Sequence, residues 1–323
     1  MMPEHRVSPD CLRSARPRIN AEKRPAVVGR VGTSSAAGGV EFAGQSVLNV
    51  AWHLRSLGIE PLLITRIGND AEGRRVSRHL EKCGIDLEGV QIDDSLPTTG
   101  PMTPPGGAAC PSCAWDALDW KSAAGMIDRI EPAVLFHGVA ATNSGTIRNA
   151  LNSIQNRTTV PFFADLDFDS TTLSTRAVRR ALLGVKWIRI SSEHLHDLIG
   201  DLEATAPRST LDGTLAVQAR FAFEGIVVEQ RGLPILGVWS DKVSRGTVSP
   251  PSDPTFLPGG RDAATAALIA GLLGGWRGQV MIERAAQFAC LAGTDKIAER
   301  VDPCVYSAFL RHWSGSGADA AES

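Results

Sequence analysis

The 323-residue chain has a single tyrosine, Tyr306, only 6% aromatic residues, and six cysteines, at positions 11, 83, 110, 113, 290 and 304. So sparse and uneven a set of cysteines excludes a disulfide framework and fits a reducing compartment. Only Cys110-Pro-Ser-Cys113 has the spacing of a motif. With no second CxxC or HxxxH pair to complete four ligands, it is read as two thiols in a loop rather than half a zinc site. Neither sign of charge dominates: 33 Lys+Arg against 35 Asp+Glu leave −2, which excludes the basic footprint of a nucleic-acid binder. Long apolar runs are also missing. The longest, Ala263 to Trp276, has 14 residues, short of the roughly 20 that cross a bilayer. Residues 1–25 carry six Lys/Arg and three Asp/Glu without the apolar core of a signal peptide, and they read as a disordered, mildly basic tail. The expectation is a cytoplasmic protein with neither nucleic acid nor membrane as partner, its oligomeric state left open.

What is present, 43% hydrophobic residues over this length, suffices for a core without disulfide or metal staples. Short apolar or β-branched runs (Ala26–Gly29, Leu62–Ile67, Ala133–Gly138, Val160–Asp165, Trp187–Ile190, Gly225–Glu229) alternate with segments of helical period. That alternation predicts an α/β protein with a mostly parallel sheet and right-handed crossovers. In SVLNVAWHLRSLG, Val47, Val50, Ala51, Leu54 and Leu57 share one face before Gly58 ends the helix. In EGRRVSRHLEKCG, Val76, Leu80 and Cys83 do the same before Gly84, with the arginines turned to solvent. Segments TIRNALNSIQ, STRAVRRALLG, SEHLHDLIG and GRDAATAALIAGLLGGW repeat the design. Residues 97–113, dense in Pro and Gly, form a loop. One domain is expected over 26–313, followed by a flexible tail over 314–323.

The strongest local signal is LPGGRDAATAALIAGLL, where Gly259 and Gly260 precede an acidic residue, Asp262, at the head of a long apolar helix. The free N–H groups and dipole of such a helix end hold anions. The carboxylate has two readings from spacing alone: an N-cap bonded to its own helix, or a general base that deprotonates a hydroxyl.

Longer matches favour the second reading. GQSVLNVAWHLRSLGIEPLLITRIGNDAEG, then PTTG, AWDAL, FHGVAA, FFADLDFDSTTL, KWIRISSEHLHDL, LPGGRD and ERAAQFACLAG follow one another in an order that resembles the PfkB (ribokinase) family of carbohydrate kinases, most of all its fructokinase branch. The resemblance implies a ribokinase-like three-layer α/β/α domain with a mostly parallel central sheet. It also implies a reduced β lid built from segments near 34–46 and 95–113. It further implies phosphoryl transfer from ATP, with Mg²⁺, to a sugar hydroxyl. By the same resemblance Asp262 is the general base and Gly259, Gly260 and Arg261 form the anion hole. Gly44, Asn49 and Asp167 lie on the sugar side, Arg189 and Gly232 on the nucleotide side, and Glu193 near the metal.

Several positions depart from the family pattern. Arg261 stands where the third glycine of the anion hole is expected, and an arginine in a glycine backbone conformation is strained and crowds the pocket. The aspartate that opens the same signature is replaced by Phe256 or displaced to Asp253. The sugar-binding carboxylate near the N-terminus falls on about Ser34, and Gln45 replaces a glycine. Asp167 and Asp169 replace Asn and Arg, and K-x-N-x-x-E has become Arg189, Ser191 and His194, with Glu193 one place early. Nucleotide-side glycines reduce to Gln230-Arg231-Gly232. Two readings follow: a fructokinase-like sugar kinase, or an impaired homologue that binds a sugar, a nucleotide or a partner. The histidines (His53, His79, His137, His194 and His196) lack metal spacing and are read as packing or surface residues, and Trp52, Trp115, Trp187 and Trp276 as core.

Overall fold

The computed structural model describes residues 24–32, 34–36, 39–41, 46–98, 113–138, 145–166, 178–179, 182–200, 209–230, 233–239, 242–246, 258–292, 306 and 309–313. Nine strands form one sheet: β1 (Ala26–Val28), β4 (Leu62–Gly68), β5 (Val90–Asp93), β6 (Leu135–Gly138), β7 (Phe162–Leu166), β8 (Trp187–Ser191), β9 (Gly225–Glu229), β10 (Leu236–Trp239) and β11 (Lys242–Arg245). Their spatial order is β11-β10-β9-β8-β7-β6-β1-β4-β5. All pairings from β5 to β9 are parallel, while β10 and β11 add an antiparallel hairpin at one edge. All six strands expected from the sequence are in this sheet. The unforeseen ones are short or charged: β11 reads Lys-Val-Ser-Arg and is mostly exposed, a composition that protects a sheet edge from further pairing. A separate two-stranded antiparallel sheet pairs β2 (Ser34–Ala36) with β3 (Gly39–Glu41), within the first expected lid segment.

Helices cover both faces. One layer holds α1 (Ser46–Ser56), α2 (Ala71–Lys82), α7 (Pro258–Gly274) and α8 (Gly278–Ala292). The other holds α3 (Trp120–Ile130), α4 (Gly145–Arg157), α5 (Ser192–Gly200) and α6 (Thr210–Phe221). Strand residues divide between the layers by alternation, as the period of two requires. Val27, Leu63, Phe136, Phe163 and Val227 face the first layer. Ala26, Val28, Leu62, Ile64, Leu135, Phe162, Ala164, Ile188 and Ile226 face the second. Of the expected core tryptophans, Trp115 and Trp276 are buried and Trp52 and Trp187 pack half-buried against the core. His53 is fully buried, with Nδ1 2.7 Å from the Tyr306 hydroxyl.

The Gly68-Asn-Asp-Ala-Glu-Gly73 segment shows why its small and acidic residues recur at fixed spacing. Asp70 caps α2 by accepting from the Gly73 amide at 2.7 Å, and it also accepts from the Thr98 amide (2.8 Å) and hydroxyl (2.9 Å). A Cβ on Gly73 would stand 2.0 Å from the Gly68 carbonyl oxygen. The motif is thus a clamp that fixes the end of β4 to the chain entering the 99–112 segment. Asp70→Ala removes the cap and both Thr98 bonds, and is expected to lower stability by about 1–2 kcal/mol. The urea midpoint should fall with the slope unchanged.

Candidate active site

Alternation along three neighbouring strands puts charges where the first layer expects apolar groups. Ala164, Leu166, Ile188, Ile190 and Val228 face the second layer, so Asp165 on β7, Arg189 on β8 and Glu229 on β9 project under the start of α7. Asp165 and Glu229 lie toward the carboxyl ends of their parallel strands, the side on which open α/β sheets bind their ligands, and Arg189 sits at the middle of its own. Arg189 is 1% exposed. Its Nη1 donates to Thr265 Oγ1 at 2.7 Å and to the Arg261 carbonyl. Nε lies 3.3 Å from Asp165 Oδ1, and Nη1 lies 3.7 Å from Glu229 Oε1. Glu229 Oε2 accepts from Arg261 Nε at 3.0 Å. A buried guanidinium therefore ties the first turns of α7 to the sheet.

Above this network lies Asp262, buried at 3% exposure. Its Oδ1 accepts from Ser46 Oγ at 2.6 Å and its Oδ2 from Asn49 Nδ2 at 2.7 Å. Ser46 and Asn49 are three residues apart on α1 and so share a face. The reach across is short because α7 presents Ala263, Ala264, Ala266, Ala267 and Ala270, all buried, which lets the two helices approach. Burial pushes the Asp262 carboxyl up from 3.8 to about 7; the Ser46 and Asn49 bonds and the Arg189 charge oppose the rise, while Asp165 adds to it.

Two expectations are corrected here. Helix α7 begins at Pro258, so Asp262 is its fifth residue, and its oxygens are engaged by α1 rather than by its own helix; it is not an N-cap. Arg261 carries no glycine-like strain: the positive-φ residues among those described do not include it. It is helical, and its side chain turns to Glu229 instead of filling the space before the helix. Because Pro258 has no N–H, the donors that this first turn can offer a ligand are the amides of Gly259 and Gly260.

Other site residues named from the sequence divide by position. Asn49 meets Asp262 directly. Arg189 is turned inward as a strut, not outward to a nucleotide. Glu193 is exposed on α5 and accepts from Ser192 Oγ at 3.3 Å. Gly44, Asp167 and Gly232, with Gln45, Asp169, Asp253 and Phe256, lie outside the described residues. Among the described residues no three His, Cys, Asp or Glu side chains gather as a metal site. Among the described residues Asp165 and Glu229, toward the carboxyl ends of their strands, are each held by an arginine and form no oxygen cage of the kind Mg²⁺ takes. His137 faces the other layer, against Phe162, and burial pushes it down to about 4. Ser46, Glu229 and Thr265 went unnoticed in the sequence. Ser46 could have been found three residues before Asn49 on one helix face, and Glu229 as the carboxylate ending the strand Gly-Ile-Val-Val-Glu.

A nine-stranded, mostly parallel sheet between two helical layers, with a small separate β sheet, defines a ribokinase-like α/β protein. The sequence model of the pfkB family carbohydrate kinases matches residues 25–102, so this stretch carries that family's pattern. No curated protein sequence matches the chain. Similar solved structures include a fructokinase with bound ATP from Xylella fastidiosa, at 15% identity and TM-score 0.71, covering 91% of this chain and 99% of that one. A fructokinase from Vibrio cholerae O395 in fructose, ADP and calcium ion bound form has 18% identity and TM-score 0.69, covering 90% and 99%. A 2-dehydro-3-deoxygluconokinase from Thermotoga maritima has 13% identity and TM-score 0.71, covering 89% and 99%. At these identities the likeness is one of fold, and it extends over nearly the whole chain. Among the described residues no helix is long and apolar enough to cross a membrane.

Proposed function

We propose that the protein is a carbohydrate kinase that moves the γ-phosphoryl group of Mg·ATP to a sugar hydroxyl, with Asp262 as general base. The observation that carries this is the burial and placement of one carboxyl. Asp262 is buried, oriented by Ser46 and Asn49, set within a turn of the Gly259 and Gly260 amides of α7, and shifted to about 7. A base with that affinity for protons accepts one from a hydroxyl as it attacks and releases it at neutral pH. The amides of Gly259 and Gly260 point the positive end of the helix at the transferring group, whose charge is spread over its peripheral oxygens. The pfkB pattern over residues 25–102 and the ATP and fructose bound to relatives of the same fold support a sugar as acceptor and ATP as donor, with fructose the first to try. Mg²⁺ is taken to arrive with the nucleotide, since among the described residues Asp165 and Glu229 are held by arginines.

A second reading, an impaired homologue that still binds sugar or nucleotide, is favoured by one observation. Asp262 is 3% exposed and each of its oxygens already holds a hydrogen bond, so a substrate hydroxyl has little open surface through which to reach a remaining lone pair. The separating experiment is transfer from Mg·ATP to a panel of hexoses, pentoses and nucleosides. Kinase action predicts turnover of at least one. Silence across the panel together with calorimetric binding of a sugar or nucleotide selects the homologue.

A further inference from the structure

Glu229 stands at the carboxyl end of β9, beside the turn of α7 whose amides face an incoming phosphate, and a carboxylate there opposes any anion. It does not stand alone: one oxygen, Oε1, lies 3.7 Å from Arg189 Nη1, and the other, Oε2, accepts from Arg261 Nε at 3.0 Å. The two arginines differ in kind. Arg189 is sealed in by Asp165 and Thr265, whereas the Arg261 side chain retains 27% of its exposure and that of Glu229 16%. A partly exposed ion pair is weak and readily exchanged. A guanidinium offered a polyphosphate can form a bidentate, charge-assisted contact stronger than its Nε bond to a carboxylate. On losing Arg261, Glu229 keeps Arg189, so the exchange leaves no buried carboxylate without a counterion.

We propose that Glu229 is an internal counter-anion that holds Arg261 until a polyphosphate displaces it, whereupon Arg261 becomes a phosphate ligand and sets how tightly the site takes its anion. This rests on the reading of α7 as the phosphate-binding helix. It gives a physical role to an arginine that stands where that family has glycine: the site trades an open backbone cradle for a side-chain ligand kept in check by its own carboxylate. Arg261 is therefore a specificity residue for highly charged phosphates, and monoanions that cannot compete with Glu229 are turned away.

The test uses the full chain and calorimetric titration with tripolyphosphate and with ATP, each without Mg²⁺, so that turnover plays no part. Glu229→Gln is expected to tighten tripolyphosphate about tenfold, Arg261→Ala to weaken it about tenfold, and the double variant to show none of the gain from Glu229→Gln. Glu229→Asp, which draws the carboxylate back from Arg261 while leaving a charge for Arg189, should tighten binding in the same direction and serves if the glutamine variant folds poorly. Wild-type binding with no gain in Glu229→Gln, or the same gain with and without Arg261, overturns the proposal and leaves the phosphate-binding reading standing. If neither ATP nor tripolyphosphate binds to any form, wild type included, both fall together.

Discussion

Asp262→Asn is expected to reduce phosphoryl transfer at least a hundredfold while making the protein no less stable at pH 8. The first half follows from the size of general-base contributions, roughly 10² to 10⁴ in rate. An asparagine of the same shape keeps the position and cannot take the proton. The second half follows from linkage. The carboxyl titrates near 3.8 in the unfolded chain and about 7 in the folded one, so between those values the native state holds a proton that the unfolded state has released. Stability contributed by this group is therefore present below pH 3.8 and lost as the pH rises to 7, by roughly 4 kcal/mol at about 1.36 kcal/mol per pH unit. Asparagine removes that slope. Asn49 can keep a hydrogen bond to the new amide by turning its own over, so packing between α1 and α7 survives.

These two readouts separate a catalytic aspartate from a structural one. If Asp262 served only to join α7 to α1, asparagine would preserve that join and leave any transfer activity in proportion to the folded fraction. As a base it should also leave a signature in wild type. The dependence of kcat/KM on pH rises through about 7 and flattens above, since only the ionised carboxylate accepts a proton. The Asn variant lacks that limb.

How much of this could be read from the residues alone varies with the physical signal. Strands flanked by apolar helices announce themselves through period, and β1, β4, β6, β7, β8 and β9 all lie where apolar runs stood. The edge strand β11 was illegible because a charged edge carries no such run, and β10, apolar and paired on both sides, because it is only four residues long and interrupted by Gly237. Asp262, Gly259 and Gly260 stood out because a glycine pair before an apolar helix is rare and has a physical use. The network beneath them was hidden for a different reason. Asp165, Arg189 and Glu229 are 24 and 40 residues apart in sequence, and only the parallel register, with Asp165 beside Arg189 and Ser191 beside Glu229, makes them neighbours. Reading Arg189 as a nucleotide contact placed it on the right strand without foreseeing its burial as a strut. The alternation around it, Ile188 and Ile190 on one face, already turned it inward.

Arg189→Met should be the most destabilising single change in the site. The guanidinium is 1% exposed and serves Asp165, Glu229, Thr265 and the Arg261 carbonyl at once. Methionine fills much of the volume but leaves Asp165, itself 2% exposed, buried without its counterion. Removing one member of a buried ion pair costs about 3–5 kcal/mol, whereas replacing both with apolar residues of similar volume costs far less. The pair Arg189→Met and Asp165→Leu should therefore recover most of the stability lost in the single variant, a coupling that a double-mutant cycle in urea measures directly. Arg189→Lys keeps the charge but offers a point donor in place of a planar fork, so it should fall between wild type and Met. In all three variants the first turns of α7 lose their tie to β8. Transfer activity should consequently fall further than the folded fraction does, because the carboxyl of Asp262 and the amides beside it are positioned by that tie. Equal stability of Arg189→Met and wild type would mean that the charge network is relaxed in solution and that α7 is held by its alanine face alone.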